Sequence, residues 1–533
     1  MISNFFFENY KSFEKGEIEL KPITILLGAN SVGKSSIIQL LLLLQQTAYA
    51  EEGYNSALKL NGDLLEVGEN INIFREKKNN KPIVLKFDFE NENLYRRLKR
   101  TYLDELIGDI VRICYEYFNE QINNWMKNKE KISKKILNEI LNQNKKILDI
   151  LGQGKLDIIK EATEQRNHFE VLLKLSKLSD STYLDLYDFL KTLRQLQEPK
   201  FTIVFEINYL NENILYLSKL ILYNKKNPIV LFKINEKGKY SLSSPHIRNG
   251  IEIIDKTKQS EVNKYIKNRH STIFSILKKT KDDYLEEEEC DVLLKKIFEI
   301  LSSSISTVES FFLKDKINHV NPRREEPKRI YLLDNANNNL YENSNEEAMI
   351  QLLKVNNELK NKVNNWLKRF DVKIKVVQIK DNIHELIVEQ HGIELTIADV
   401  GFGISQVLPV LVHGFFSENN TLTMMEQPEI HLHPTMQADL TDSFIEIITT
   451  KERRYLLVET HSEYILNRLR RRIAEGKEIT NEDVAIYVIE RNQDQTTIKP
   501  LEIPKKGGFQ YPEDFYSGEL LNDTIIFLKS QNN

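Results

Sequence analysis

Apolar residues along this chain gather in short blocks separated by polar turns, and the character of the blocks changes as the chain proceeds. Residues 2–7 and 17–27 read as strands, the second ending in the β-branched and apolar run Ile23-Thr24-Ile25-Leu26-Leu27. After a glycine loop, Ser36-Ile37-Ile38-Gln39-Leu40-Leu41-Leu42-Leu43-Leu44 is a helical apolar segment. Residues 58–74 carry Asn-Gly and Val-Gly breaks and read as a strand with turns, whereas 82–89 (PIVLKFDF) alternate apolar and charged residues as a half-buried strand does.

From 94 to 197 the pattern becomes helical: Lys, Glu, Asn, Ile and Leu dominate, proline is absent, and glycine occurs only at 108, 152 and 154. No heptad run is long enough for an extended coiled coil. Residues 201–243 return to strands with polar turns between them, a β-meander, and 251–316 are helical again. The stretch 319–331 (HVNPRREEPKRIY) reads as a basic loop, and 346–370 as one amphipathic helix containing Trp366. Strands at 373–379, 384–390 and 393–398 follow, then helix 404–416, strand 421–426, a helix near 435–449, strand 455–460, helix 462–475 and strand 484–490. A sheet of strands interleaved with helices, interrupted by a large mainly helical insertion, is an α/β pattern.

Chemistry enters at Gly28-Ala29-Asn30-Ser31-Val32-Gly33-Lys34-Ser35, a full match to G-x-x-x-x-G-K-[ST] lying between a strand and a helix. Its glycines let successive backbone N–H groups turn towards phosphate oxygens, and the helix N-terminus adds partial positive charge. Lys34 suits the β- and γ-phosphates, and the Ser35 hydroxyl suits Mg²⁺. In the second half, Asp399-Val400-Gly401-Phe402-Gly403-Ile404-Ser405-Gln406 opens a helix with two glycines and a serine, a second anion-binding element. Lying some 370 residues from the first, it suits a γ-phosphate bound to another subunit better than one bound within the same chain. Thr421–Glu426 is an apolar strand ending in a carboxylate, which beside a P-loop orders Mg²⁺. Gln427-Pro428-Glu429-Ile430-His431-Leu432-His433 follows it, and Tyr455–Glu459 runs into Thr460-His461-Ser462 at a helix start, where His461 suits the γ-phosphate or the attacking water. The histidines lack the cysteine or acidic partners of a metal site. Arg468, Arg470, Arg471 and Arg472 form either a solvated run or a local patch for nucleic-acid phosphate or a partner protein.

The totals narrow the class. With net charge −4 there is no global electrostatic case for nucleic acid. Two distant cysteines, Cys114 and Cys290, suit a reducing cytoplasm and exclude a zinc hook or disulfide framework. The N-terminus reads as no signal peptide, and the run Ile37–Leu44 is far shorter than the ~20 residues that span a bilayer, so a cytoplasmic, non-membrane protein is expected.

Taken together and in this order, Asn9-Tyr10-Lys11-Ser12-Phe13, the P-loop, Gly401–Gln406, Glu426–Pro434 and Thr460-His461-Ser462-Glu463 resemble the ABC-class ATPases related to SMC proteins and the OLD family. The tail Tyr511–Tyr516 looks like the ending of one prokaryotic branch. The resemblance implies an ABC-type P-loop ATPase head with a mixed sheet. Its parts would be 1–93 (first half of the head), 94–200 (helical arm), 201–245 (meander), 246–316 (helical insertion), 317–490 (second half) and 491–533 (C-terminal segment). It implies ATP and Mg²⁺ as cofactors. Asn30, Ser31, Gly33, Lys34, Ser35 and Ser36 of one head would face Gly401, Gly403, Ser405 and Gln406 of another, in a homodimer or higher homo-oligomer. Ser35 and Glu426 would hold the metal, and Glu426, Gln427, Glu429 and His461 would form the catalytic group. His433 stands where an aspartate is usual.

Two departures from the resemblance matter. Gln427 replaces the usual catalytic Glu, so either Glu429 supplies the base or hydrolysis is slow, and no glutamine occurs between Gln46 and Gln121 for a Q-loop. The expected role is the ATP-binding and hydrolysing sensor or scaffold subunit of a bacterial anti-phage complex, similar to the Septu and PARIS ATPases. A separate HNH or Toprim effector nuclease would be its partner, and nucleic acid would be reached through that effector or through local basic patches. The rival expectation is a DNA repair or chromosome-maintenance ATPase of the SMC/RecF kind; a transporter subunit is a distant third.

Overall fold

The computed structural model describes residues 2–99, 198–211, 214–245, 262–277, 292–313, 315–333, 346–450, 453–492 and 495–509, with a few single positions besides. Most of the 94–200 arm, part of the 246–316 insertion and the Tyr511–Tyr516 motif lie outside the described residues.

A thirteen-stranded mixed sheet organises the described chain, so the fold is α/β. Its parallel part comprises β3 (Ile23–Leu27), β9 (Ile317–Val320), β14 (Leu422–Glu426), β15 (Tyr455–Glu459) and β16 (Val484–Asn492). In space the order is β16-β3-β15-β14-β9, so the strand ending in Glu459 lies between the P-loop strand and the strand ending in Glu426. The antiparallel part holds β1 (Ile2–Tyr10), β2 (Phe13–Glu19), β4 (Ile83–Glu90), β5 (Lys200–Asn211), β6 (Ile214–Asn224), β7 (Asn227–Ile234) and β8 (Tyr240–Ser243). Strand β17 (Gln495–Pro500) joins the two parts, antiparallel to β16 and touching β2 in parallel through Thr496 and Phe13.

Both faces of the parallel strands are covered, which is why they read as unbroken apolar runs. Leu26, Met424 and Leu457 face a core shared with helix α1 (Lys34–Ala48) and the antiparallel wing. Ile25, Met425 and Val458, one residue away on each strand, face the second core. That core is built from α4 (Glu346–Val355), α5 (Asn357–Leu367), α6 (Phe402–Phe416), α7 (Pro434–Thr450) and α8 (Glu463–Glu475). The wing core adds α2 (Glu92–Lys99) and α3 (Val292–Phe311). A four-stranded antiparallel sheet of β10 (Tyr331–Leu332), β11 (Val372–Lys380), β12 (Ile383–Gln390) and β13 (Ile393–Thr396) leads into α6.

The structure departs from the sequence reading in several places. The meander continues the main sheet, with β5 paired to β4 from Ile83↔Ile207 to Glu90↔Lys200. The helix expected at 346–370 is two, because Asn356 leaves the helical region and its side chain accepts the Leu359 N–H at 2.9 Å, capping a new start. Residues 58–74 hold a 3₁₀ turn at Asn70–Ile73 and an isolated bridge between Asn61 and Glu66, but no full strand. The supposed basic loop at 319–331 has strand β9 at its start and β10 at its end. Residues 262–277, expected to be helical, are mostly turns with one bridge.

Candidate nucleotide site

The P-loop leaves β3 through Gly28, whose φ of 150° and close approach to Ile489 exclude a side chain: an added Cβ would lie 2.3 Å from the Ile489 carbonyl oxygen. Ser31 adopts φ 62°, and Gly33 at φ 112° opens α1. No side chain caps Gly33 and the first turn carries no acid, so the start of α1 keeps its N–H groups and positive end for an external anion. Ala29, Asn30 and Ser31 are exposed, whereas Lys34 is buried.

Lys34 Nζ donates to the carbonyls of Gly28 (3.1 Å) and Ala29 (2.8 Å). It also sits 3.7 Å from Glu459 Oε1. Ser35 Oγ donates to the other oxygen of the same carboxylate at 3.0 Å. Burial pulls Lys34 below its usual range and pushes Glu459 above its own, while each holds the other charged. Glu426 is the Cα partner of Glu459 on the next strand, and its carboxylate meets His319 Nε2 at 2.8 Å. The carboxylate that touches the P-loop is therefore Glu459, which the sequence reading passed over in favour of Glu426.

Gln427 takes φ 44°, its N–H donating to the Glu459 carbonyl at 2.8 Å and its own carbonyl accepting from Arg324 at 3.1 Å. Glu429 is buried. One of its oxygens accepts the His461 backbone N–H at 2.7 Å, and the other, Oε2, has no hydrogen-bond partner. Burial holds this carboxyl above the usual range against the hydrogen bonds that favour its charged form. His461 Nε2 is likewise buried and unpartnered, and burial with Lys34 nearby lowers the ring's pKa to about 4, so it is neutral at physiological pH. His431 and His433 are exposed, and no cluster of three or more metal-ligating side chains occurs among the described residues.

Gly401 caps α6 without a side-chain bond and has open space around it. An added Cβ on Gly403 would stand 3.4 Å from the His431 carbonyl, so this loop packs along the Gln427–His431 turn. Ser405 and Gln406 are buried at the start of α6. Arg324 ties the two groups together, donating to the Gln406 carbonyl at 2.9 Å as well as to that of Gln427. Burial lowers its pKa to about 10, which leaves it charged at neutral pH. Sequence reasoning missed Arg324 and His319 because both lie in what looked like a loop. The signal available was the strand character of Ile317–Val320, which contains His319 and runs towards Arg324. Three of the four arginines after His461 already meet carboxylates: Arg468 bonds Asp439 and Asp442, Arg472 bonds Asp442 and Glu475, and Arg471 bonds Glu475, while Arg470 donates to the Gly507 carbonyl.

A strand-loop-helix with an uncapped N-terminus, a buried lysine and a serine facing carboxylates is a fit for a nucleoside triphosphate with a divalent cation. The family described as AAA ATPase domain matches residues 1–466. This chain belongs to the AAA ATPase domain family. The loop at Gly28–Ser35 lies within the matched residues and is the candidate nucleotide site. No curated protein matches the chain. Among solved structures, the SMC head domain from Thermotoga maritima is 7% identical with a TM-score of 0.34, covering 94% of this chain and 99% of that one. The Smc head with an extended coiled coil bound to the C-terminal domain of ScpA, from Pyrococcus furiosus, is 10% identical at TM-score 0.32, covering 100% and 99%. The Smc head with a coiled coil and joint from Pyrococcus yayanosii is 11% identical at TM-score 0.32, covering 95% and 98%. Among the described residues no helix is long and apolar enough to cross a membrane.

Proposed function

We propose that this AAA-family ATPase is an ATP-gated switch whose site is completed by a second copy of the chain. The observation that carries this reading is the turn after Glu426. Gln427 stands where a base is needed, its backbone is fixed from both sides, and two residues on Glu429 is buried with Oε2 unpartnered. Lys34, Ser35 and the N–H groups of Asn30, Ser31, Gly33 and Ser36 would hold the phosphates, and Ser35 with Glu426 would hold Mg²⁺ beside Glu459, the carboxylate that already bonds Ser35. Bound Mg²⁺ and ATP supply the phosphoryl group to be attacked and the cation that offsets its charge. Glu429 Oε2 accepts the proton of the attacking water, a role its raised pKa favours, since a base with a pKa nearer neutrality transfers protons more effectively. Neutral His461 donates or accepts through Nε2 without adding charge. Gly401, Gly403, Ser405 and Gln406 of one copy face Lys34 and Ser35 of the other.

The order of motifs supports a sensor or scaffold role in anti-phage defence, with a separate HNH or Toprim nuclease as the controlled partner and the cytoplasm as the location. The test purifies the chain with its genomic neighbours and measures ATP turnover, assembly size and nuclease activity together. Lys34→Ala abolishes nucleotide binding, and Glu429→Gln lowers turnover by roughly 100-fold, the usual worth of a general base, with nucleotide affinity retained. Normal ATP turnover by Lys34→Ala overturns the site; normal turnover by Glu429→Gln, with faster turnover in Gln427→Glu, overturns the base.

A further inference from the structure

Glu459 stands where an incoming anion must go. Its two oxygens meet the two side chains by which a P-loop grips its ligand: Oε2 accepts from Ser35 Oγ at 3.0 Å, and Oε1 lies 3.7 Å from Lys34 Nζ. The ammonium of Lys34 has three protons. The Gly28 and Ala29 carbonyls take two, and the remaining one faces the Glu459 carboxylate. Lys34 is thus fully engaged within the chain, and Glu459, 4% exposed, is shielded from water that would screen the pair.

The carboxylate cannot leave by moving its backbone. Strand β15 lies between β3 and β14, with Glu459 paired to Leu26 on one side and Glu426 on the other, and its carbonyl accepts the Gln427 N–H. Only a side-chain rotation can therefore take the carboxylate from Ser35, and the strand keeps it at the edge of the P-loop. Glu426 and Glu429 add negative potential around it, and both act to raise its pKa. A bare triphosphate entering this cradle meets one lysine that is already neutralised and a wall of carboxylates. A divalent cation reverses the sign of that wall, because carboxylate and phosphate oxygens are both hard-cation donors.

We propose that Glu459 is a specificity-determining residue: it occupies the phosphate cradle, competes with a bare nucleotide for Lys34 and Ser35, and admits the cation-bound nucleotide instead. This rests on the nucleotide-site reading above and adds to it a residue and a preference. Glu459 is a positioning residue in this role. Its effect falls on binding before any turnover occurs.

The test is a fluorescent-ATP titration of the full chain in EDTA and again in Mg²⁺. Mn²⁺ electron paramagnetic resonance with a non-hydrolysable ATP analogue is the second readout. Wild type binds at least about 100-fold more tightly with Mg²⁺ than with EDTA, as expected when a buried carboxylate must be neutralised. Glu459→Gln tightens EDTA binding roughly tenfold, since one charge-assisted contact to Lys34 is removed from the competitor. The same variant weakens the cation-bound complex and alters the Mn²⁺ spectrum. Glu459→Asp, which withdraws the carboxylate by one methylene, moves both affinities the same way by about threefold and carries the test if the glutamine variant fails to fold. Unchanged affinities in both buffers for a folded Glu459 variant overturn the proposal. If Lys34→Ala leaves binding untouched in either buffer, the nucleotide-site reading itself fails, and the two failures are told apart.

Discussion

Strands β3, β14 and β15 run parallel, are buried on both faces, and end together at Leu27, Glu426 and Glu459. Strands β4 to β8 run antiparallel as a wing of the same sheet, and none of the candidate site residues lies on them. The difference follows from the connections. Parallel neighbours need a crossover, so every strand reaches the same edge and hands its chain to a helix there. Loops and helix N-termini accumulate at that carboxyl edge, which is where α/β sheets bind ligands. In the wing β6 turns straight back into β7 at Lys225-Lys226, and the wing contributes bulk to the core around α1.

The sharpest way to break this comparison is to truncate one core residue in each half. Phe232→Ala in the wing and Leu457→Ala in β15 each remove a fully buried side chain, at a cost of roughly 2–5 kcal/mol of unfolding free energy. Denaturant unfolding gives the cost, and nucleotide titration of the folded fraction separates the two. Leu457→Ala weakens binding because Glu459 ends the same strand and Thr460 follows it. Phe232→Ala leaves affinity unchanged. Equal loss of affinity in both would show that the wing shapes the site.

Arg324 sharpens the comparison within the active half, since it links the start of α6 to the turn after Glu426. Arg324→Met leaves both carbonyls without this donor and the loops uncoupled. Turnover falls roughly tenfold to 100-fold, in line with the loss of two hydrogen bonds from a charged group, while nucleotide affinity changes little. Arg324→Lys restores only part, because one ammonium cannot reproduce the planar fork.

A smaller effect comes from His413 on α6, buried with Nε2 unpartnered and facing His319, with a pKa lowered to about 4. The fold keeps this ring neutral, so the unfolded chain takes up its proton first as pH falls. Stability is intact above the ordinary value of 6.5 and declines between 6.5 and about 4, by up to roughly 3 kcal/mol. Glu429 and Glu459, both raised, act in the opposite sense as they protonate. Comparing His413→Leu with wild type isolates the histidine: the variant's melting temperature falls less on going from pH 7 to pH 4.5.

Much of the parallel half was legible from local pattern alone. GANSVGKS, the run into Glu426 and the run into Glu459 carry their chemistry at strand ends, where composition and position coincide. The part that stayed hidden depends on neighbours in space. Glu426 and Glu459 end similar strands, and only their order across the sheet brings Glu459 to Ser35. Arg324 acts on two backbone carbonyls, which leave no mark on side-chain pattern. The arginine run at 468–472 looked available for phosphate because its partners Asp439 and Asp442 sit one helix earlier. The meander's strands were readable, whereas their continuity with β4 depends on a pairing across more than a hundred intervening residues that no local window contains.

The central claim, that each site needs two copies of the chain, is tested most directly by mixing two inactive variants. Lys34→Ala lacks the P-loop cation, and Ser405→Arg blocks the loop that faces it. Each alone is expected to be inactive. In an equimolar mixture half the dimers pair unlike chains and hold one intact site of two, so about a quarter of wild-type ATP turnover returns. No recovery in the mixture, or full activity of Ser405→Arg by itself, would contradict the composite site.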